Sequence, residues 1–331
     1  MKFRIIGPIC CPPASTAMGA CPNTYAASAI GYSALSLVQP DGSTLSKSTV
    51  FDLIETAYLQ GFVNFVYAHD LMGNAEYHIG ETVEPLRDQI VLASEHKGPG
   101  TATNIKRTFE EHCSRLRTSY IDVYLLEYDA ATPISESIGA IKELLDAGRV
   151  HGVGLSGRGL SPDLIRAAHS ICPLTVLRTN YSLWDRSSER TGVLQTCKEL
   201  GIACIPSTSG EMEFIPKTVR PFEPATPEEG RSLEGLQNLA GRKGVESAQI
   251  ELAWVIHQGC FPFLTNTSTA ELVKNITAAD IDLLPEDLAL LDDLFPIGAI
   301  SSIAVAPLYT LSADSTVDFS VAKGTSRAAY F

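Results

Sequence analysis

Ile121-Asp122-Val123-Tyr124-Leu125-Leu126-Glu127 is a short, nearly continuous apolar run. Ile134, Ile138, Ile141, Leu144 and Leu145 follow at helical spacing, and then Val150-His151-Gly152-Val153-Gly154-Leu155-Ser156. Gly148 stands just after Asp146-Ala147, where a glycine ends a helix because it alone enters the left-handed region without strain. Apolar runs that do not alternate are expected of parallel strands buried on both faces. The same alternation extends in both directions. Further strands are predicted at Ala29–Leu37, Val63–Tyr67, Ile90–Ser94, Leu174–Thr179, Ala203–Ser207 and Phe261–Thr265. Helical periodicity appears in Thr49–Tyr58 and Ile105–Leu116, while Ser161-Pro162-Asp163 and Pro285-Glu286-Asp287 read as helix starts. Eight strand–helix alternations without a break in composition predict an α/β fold, a closed (β/α)8 TIM barrel. An open doubly wound sheet would carry a glycine-rich turn after its first strand, and Gly31-Tyr32-Ser33-Ala34 is not one.

The barrel is expected over residues 28–298 as a single domain. It carries an N-terminal extension, 1–27, and a C-terminal segment, 299–331, expected to cover the barrel mouth. A loop with Pro216, Pro221, Pro224 and Pro227 follows the seventh strand, on the face where barrel active sites are built. The chain has 331 residues, 45% apolar and 19% charged, a globular balance that excludes a disordered or fibrous protein. Its net charge is −13. Such a surface repels phosphate backbones and anionic lipid, so no nucleic-acid or membrane partner is expected. No apolar run reaches the roughly 20 residues of a membrane helix. Pro8, Pro12 and Pro13 interrupt the N-terminal apolar stretch, so a cytoplasmic location is predicted rather than secretion. The eight cysteines show no Cys-x-x-Cys pair and no histidines at zinc spacing; reduced, buried thiols and no metal are expected.

Five segments carry a resemblance. Leu116–Leu126 resembles the strand entry "L-x-T-D-Y-I-D-L-Y-L-L" of aldo-keto reductases, and Gly148–Ser156 resembles their "G-K-V-R-x-I-G-L-S". Asn180–Arg186 is similar to "x-Y-S-L-x-x-R", and Gln249–Val255 to "Q-L-A-L-A-W-V". Gly31–Leu37 is similar to the first strand of the fungal pyridoxal-reductase-like branch. The resemblance spans about Gly31 to Leu294. It implies the (β/α)8 fold and an ancestry in NADPH-dependent carbonyl reduction.

The family's Asp-Tyr-Lys-His tetrad does not carry over in this alignment. Val66 stands where the resemblance places Asp, Leu71 or Met72 at Tyr, Glu95 at Lys and Glu127 at His. A lysine beside the tyrosine favours the phenolate, and a carboxylate does the opposite. Around the cofactor, Ser268 and Glu271 occupy positions where the family has cations, Arg178 stands at the carboxamide-binding Gln, and Ser207 at the Tyr that stacks on nicotinamide. Ser156 and Asn275 match the family. On this reading no cofactor is expected, NADPH entering only under a different alignment.

Glu95 and Glu127 should close adjacent strands at the catalytic face, either as rim carboxylates and partners of Lys97 and Arg178 or as a catalytic pair. Two buried carboxylates divide into one acid and one base. Tyr67 and His69 after the second strand are further candidates for proton transfer, with surface-loop or core roles as the alternatives. Tyr128, Arg178, Asn180 and Trp184 are candidate substrate contacts, Trp184 having structural packing as its competing role. His151 and His257 are expected to be structural. The favoured function is a redox-independent acid–base enzyme acting on a small organic molecule, of isomerase, dehydratase or cyclase type, in a fungal biosynthetic setting. A carbonyl or enone reductase with a rearranged site, and a non-catalytic protein binding a ligand or protein partner, are the alternatives.

Overall fold

A computed structural model describes residues 3–5, 26–28, 30–33, 37, 44–59, 65–69, 74–157, 159–207 and 226–298. The proposed cover at 299–331 and the proline-rich loop up to residue 225 lie outside these. Strands β1 (Phe3–Ile5) and β2 (Ala26–Ser28) pair as an antiparallel ribbon. The barrel strands are β3 (Gly31–Ser33), β4 (Phe65–His69), β5 (Val91–His96), β6 (Ile121–Glu127), β7 (Val150–Ser156), β8 (Leu174–Asn180), β9 (Ala203–Ser207) and β10 (Phe263–Leu264). They form one eight-stranded sheet in the order β10-β3-β4-β5-β6-β7-β8-β9, with every pair parallel. The edge strands meet where the Phe261 N–H donates to the Cys204 carbonyl at 2.9 Å. The eight-stranded (β/α)8 expectation is therefore met, and the open sheet is excluded.

Ladder ends differ from the apolar runs. The last strand was expected over Phe261–Thr265, but only Phe263–Leu264 pair with β3, because Phe261 bonds across the closure instead. Of the expected first strand, the described residues Gly31–Ser33 pair in the sheet.

Side chains alternate across the pleat with a period of two. Val91 and Ala93 of β5, Val123 and Leu125 of β6, Val176 of β8, Ile205 of β9 and Phe263 of β10 form one buried cluster filling the barrel. Gly154 of β7 is required by this plug: a Cβ there would lie 2.5 Å from Leu125 Cγ and 2.8 Å from Val176 Cγ2. Continuing each strand by one period reaches Glu95, Glu127, Ser156, Arg178 and Ser207 at the C-terminal ends.

Helices α1 (Lys47–Leu59), α2 (Asn74–Val83), α3 (Ala102–Arg115), α4 (Ile134–Asp146), α5 (Pro162–Ile171), α6 (Ser187–Arg190), α7 (Val193–Leu200), α8 (Pro227–Lys243), α9 (Ser247–His257), α10 (Thr269–Ile276) and α11 (Pro285–Leu294) cover the described barrel outside. The expected start of α5 is observed: the Ser161 hydroxyl accepts from Leu164 N–H, with Pro162 first in the helix. Gly148 takes φ of +69° after α4, as its position predicted.

One charged network pins β5 to its helices. Glu76 of α2 is buried, bonds His112 Nδ1 of α3 at 2.6 Å and is paired with Arg115. Ser94 Oγ lies 3.1 Å from the same His112 nitrogen. Both contacts fall on one ring nitrogen, so the trio cannot pass a proton from serine through the ring to the carboxylate. It works as an anchor, and the residue after Ser94 is Glu95. Removing one partner of a buried pair leaves the others without compensation. Glu76→Gln is expected to lower stability by about 3 kcal/mol, measured by urea denaturation; a loss within experimental error would mean that the network is dispensable.

Candidate active site

Glu95 is wholly buried at the end of β5. Its Oε1 accepts from Arg178 Nη2 of β8 at 2.6 Å and from the Ser156 hydroxyl of β7. Its Oε2 is 3.7 Å from Lys97 Nζ. The same ammonium lies 3.9 Å from Glu127 Oε2 at the end of β6. Lys97 is 11% exposed and Glu127 40%. The two carboxylates thus flank one shared cation, and Glu95 is held across the barrel mouth by a second. Their expected mutual repulsion is offset by Lys97 standing between them. Of the two roles considered for Glu95, partnership with Lys97 and Arg178 describes its surroundings.

The other candidate residues separate into two groups. His69 is in register with Glu95, and Tyr67 with Ala93, so the backbone brings both beside the cluster. Asn180 is exposed at the end of β8, and its Oδ1 accepts from the Ser207 hydroxyl of β9 at 3.1 Å. Tyr128 is half-buried, its N–H donating to Ser156 O at 2.8 Å. Trp184 corrects the expectation of a substrate contact. Its indole is buried edge-on to Phe295, with Nε1 donating to Glu251 Oε2 at 3.2 Å. An indole needs a partner for its N–H when buried, and here a helix supplies it. Asn275 is buried on α10, and Ser268 caps that helix by accepting from Glu271 N–H. His151 Nδ1 lies 3.4 Å from Asp122 Oδ1, and its ring packs tilted against Tyr120. The described cysteines, Cys113, Cys172, Cys197, Cys204 and Cys260, are all free and buried. Among the described residues no group of three His, Cys, Asp or Glu could hold a metal ion, and no helix is long and apolar enough to cross a membrane.

Sequence reasoning missed one residue that orders the mouth. Asp129 follows Glu127-Tyr128. Its Oδ1 accepts from Ala131 N–H at 2.9 Å, and its Oδ2 from Thr132 Oγ1 at 2.8 Å and Gly100 N–H at 3.2 Å. One carboxylate therefore ties the turn carrying Lys97 to the turn carrying Glu127. The signal was available: an aspartate two residues before the N–H it accepts from is a recognisable turn former.

The profile of the Aldo/keto reductase family matches residues 30–295. The chain belongs to the aldo/keto reductase family. It is 28% identical over 307 residues to "Probable aldo-keto reductase 1" of Glycine max, an alignment covering 84% of this chain and 88% of that protein. The thermostable aldo-keto reductase Tm1743, crystallised with the inhibitor epalrestat, superposes with a TM-score of 0.72 at 20% identity, covering 89% of this chain and all of the other. An aldo/keto reductase of Klebsiella pneumoniae in complex with NADP and acetate gives 0.68 at 24% identity, covering 84% and 95%; a second Klebsiella pneumoniae structure holds NADPH. These findings correct the expectation of a cofactor-free protein. That expectation rested on substituted positions one by one, whereas a cofactor spread over a barrel mouth is held by many contacts, including backbone groups that a residue-by-residue comparison does not score.

Hydrogen bonds from Ala131, Thr132 and Gly100, the Ala131 N–H foremost, hold the Asp129 carboxyl below the ordinary aspartate range. A lowered folded value contributes stability that is complete above the unfolded pKa and is lost as pH falls through the folded one. The Tm difference between the protein and Asp129→Asn should therefore be full above about pH 5 and shrink progressively below about pH 4. A constant difference down to pH 2 would show that the charge of Asp129 plays no part.

Proposed function

We propose that the protein is a nicotinamide-dependent reductase of small carbonyl or enone compounds, with Lys97 as the cation that meets the substrate oxygen. One observation carries the reading: a nearly buried ammonium at the C-terminal end of the barrel strands, shared between Glu95 and Glu127. The described residues fit the nicotinamide end of the cofactor by the chemistry of their donor set. A carboxamide needs one donor and one acceptor; the amino group of the exposed Asn180 side chain offers the donor and the Ser207 hydroxyl oxygen the acceptor. When bound, such a cofactor would supply hydride to the carbonyl carbon, or to the β-carbon of an enone, and in both cases negative charge gathers on the substrate oxygen.

The chain's own residues then handle charge and proton. Negative charge develops on the substrate oxygen, and a positioned ammonium in a site poor in water stabilises it strongly. Lys97 releases its proton to that oxygen. Glu127, half-exposed, returns a proton to Lys97 from solvent. Glu95 touches no solvent and keeps both Lys97 and Arg178 in place, so it is a positioning residue. The substrate class is a small organic carbonyl compound, since the plug beneath the cluster closes the barrel to anything deeper. A redox-independent isomerisation by the Lys97–Glu127 pair is the second reading, supported by the same contact between an acid and a base.

Two measurements check this. Titration of protein fluorescence with NADPH should give saturable quenching. NADPH oxidation with 4-nitrobenzaldehyde and 2-cyclohexenone should fall by about 10²-fold in Lys97→Met and in Glu127→Gln, the usual scale of lost acid–base help, with NADPH affinity unchanged. Turnover that survives in Lys97→Met removes Lys97 from the mechanism, and turnover of an enolisable ketone without any nicotinamide would establish the second reading.

A further inference from the structure

On the outer side of the barrel closure the structure brings three thiols to one cavity of about 320 Å³, lined among others by Cys197, Cys204, Cys260, Lys198, Gln258 and Glu189. Cys204 is in β9 between Ala203 and Ile205, both of which pack into the barrel plug, so by the pleat its side chain faces out toward the helices. Cys260 lies in the turn between α9 and β10. The hydrogen bond from Phe261 N–H to Cys204 O sets the two cysteines side by side across the seam, and both line the same cavity. Cys204 and Cys260 belong to one buried apolar cluster, and Cys197 to the neighbouring one.

We propose that Cys204 and Cys260 are an oxidisable dithiol, a modification site that hydrogen peroxide converts to a disulfide bridging β9 to the approach of β10. The sulfur of one thiolate attacks a peroxide oxygen. The O–O bond breaks, hydroxide leaves and takes up a proton as water, and a sulfenic acid remains. The second thiol attacks that sulfur, the S–S bond forms and a second water departs. Two thiols and one peroxide thus give one disulfide and two waters, with two electrons passing to peroxide. The cavity provides the route for a molecule as small as peroxide, and the Lys198 ammonium on its wall favours the thiolate. Hydrogen bonding to Cys260 and burial push the Cys204 thiol well up, so the reaction is slow at neutral pH and quickens as pH rises, since the thiolate is the nucleophile. Cys113 and Cys172 lie in the other cluster, away from this cavity.

The test treats the full-length protein with hydrogen peroxide at pH 8, alkylates the remaining thiols under denaturing conditions, and maps the digest by mass spectrometry. The expected result is a linked peptide pair joining Cys204 to Cys260, two hydrogen masses lighter than the free peptides and separated by dithiothreitol, with the other described cysteines, Cys113, Cys172 and Cys197, alkylated. In Cys204→Ser the linked pair should vanish while Cys260 becomes trappable as a sulfenic acid by dimedone; the wild-type map stands without this variant should it not fold. Free Cys204 and Cys260 after treatment, a link from either to Cys197 or to any other cysteine, or stepwise oxidation to sulfinic acid without a link would each overturn the proposal.

Discussion

A carboxylate cannot keep its charge out of reach of water unless cations are brought to it. Glu95 has no exposure at all, and the barrel mouth is arranged around that fact. Arg178 reaches it from across the barrel, Lys97 curls back from the following turn, and Ser156 donates from the strand two places away. Each of these groups comes from a different strand or turn. The buried charge therefore specifies the relative placement of β5, β7 and β8 more sharply than apolar packing does, because a displaced cation leaves an uncompensated ion.

The anchor outside β5 serves the same strand. Ser94 faces His112 and Glu76 between the helices, while Glu95 faces the mouth. Successive residues on a strand point to opposite faces, so one strand carries a charged network on each side. A shift of β5 by one residue would exchange them and put Ser94 at the mouth. The register is thus set twice over, once by the helices and once by the site.

Beneath the site, the plug of Val91, Ala93, Val123, Leu125, Val176, Ile205 and Phe263 excludes water from the barrel. This weakens screening and strengthens the attraction of Lys97 for both carboxylates. Asp129 joins the turn of Lys97 to the turn of Glu127 from outside the cluster. The chemistry available at the mouth, an ammonium between a buried and a half-exposed carboxylate, follows from these two supports. The chain belongs to the aldo/keto reductase family, and its structural neighbours include members crystallised with NADP and NADPH.

The sequence by itself determined the architecture. Eight apolar runs and the helices between them were legible because parallel barrel strands are buried on both faces and amphipathic helices repeat at their own period, and both patterns are local. Gly148 and Ser161-Pro162 marked helix ends for equally local reasons. It also named Glu95, Glu127, Arg178 and Lys97 as neighbours in principle, since all follow strand ends on one face. What only the tertiary structure decided is which groups touch. That Lys97 turns back between the two carboxylates, that Trp184 finds its partner in Glu251 rather than at the mouth, and that Cys204 meets Cys260 across the closure all depend on contacts between residues tens of positions apart or on the course of a turn. Such contacts are set by barrel closure and side-chain direction together, and no periodicity along the chain encodes them.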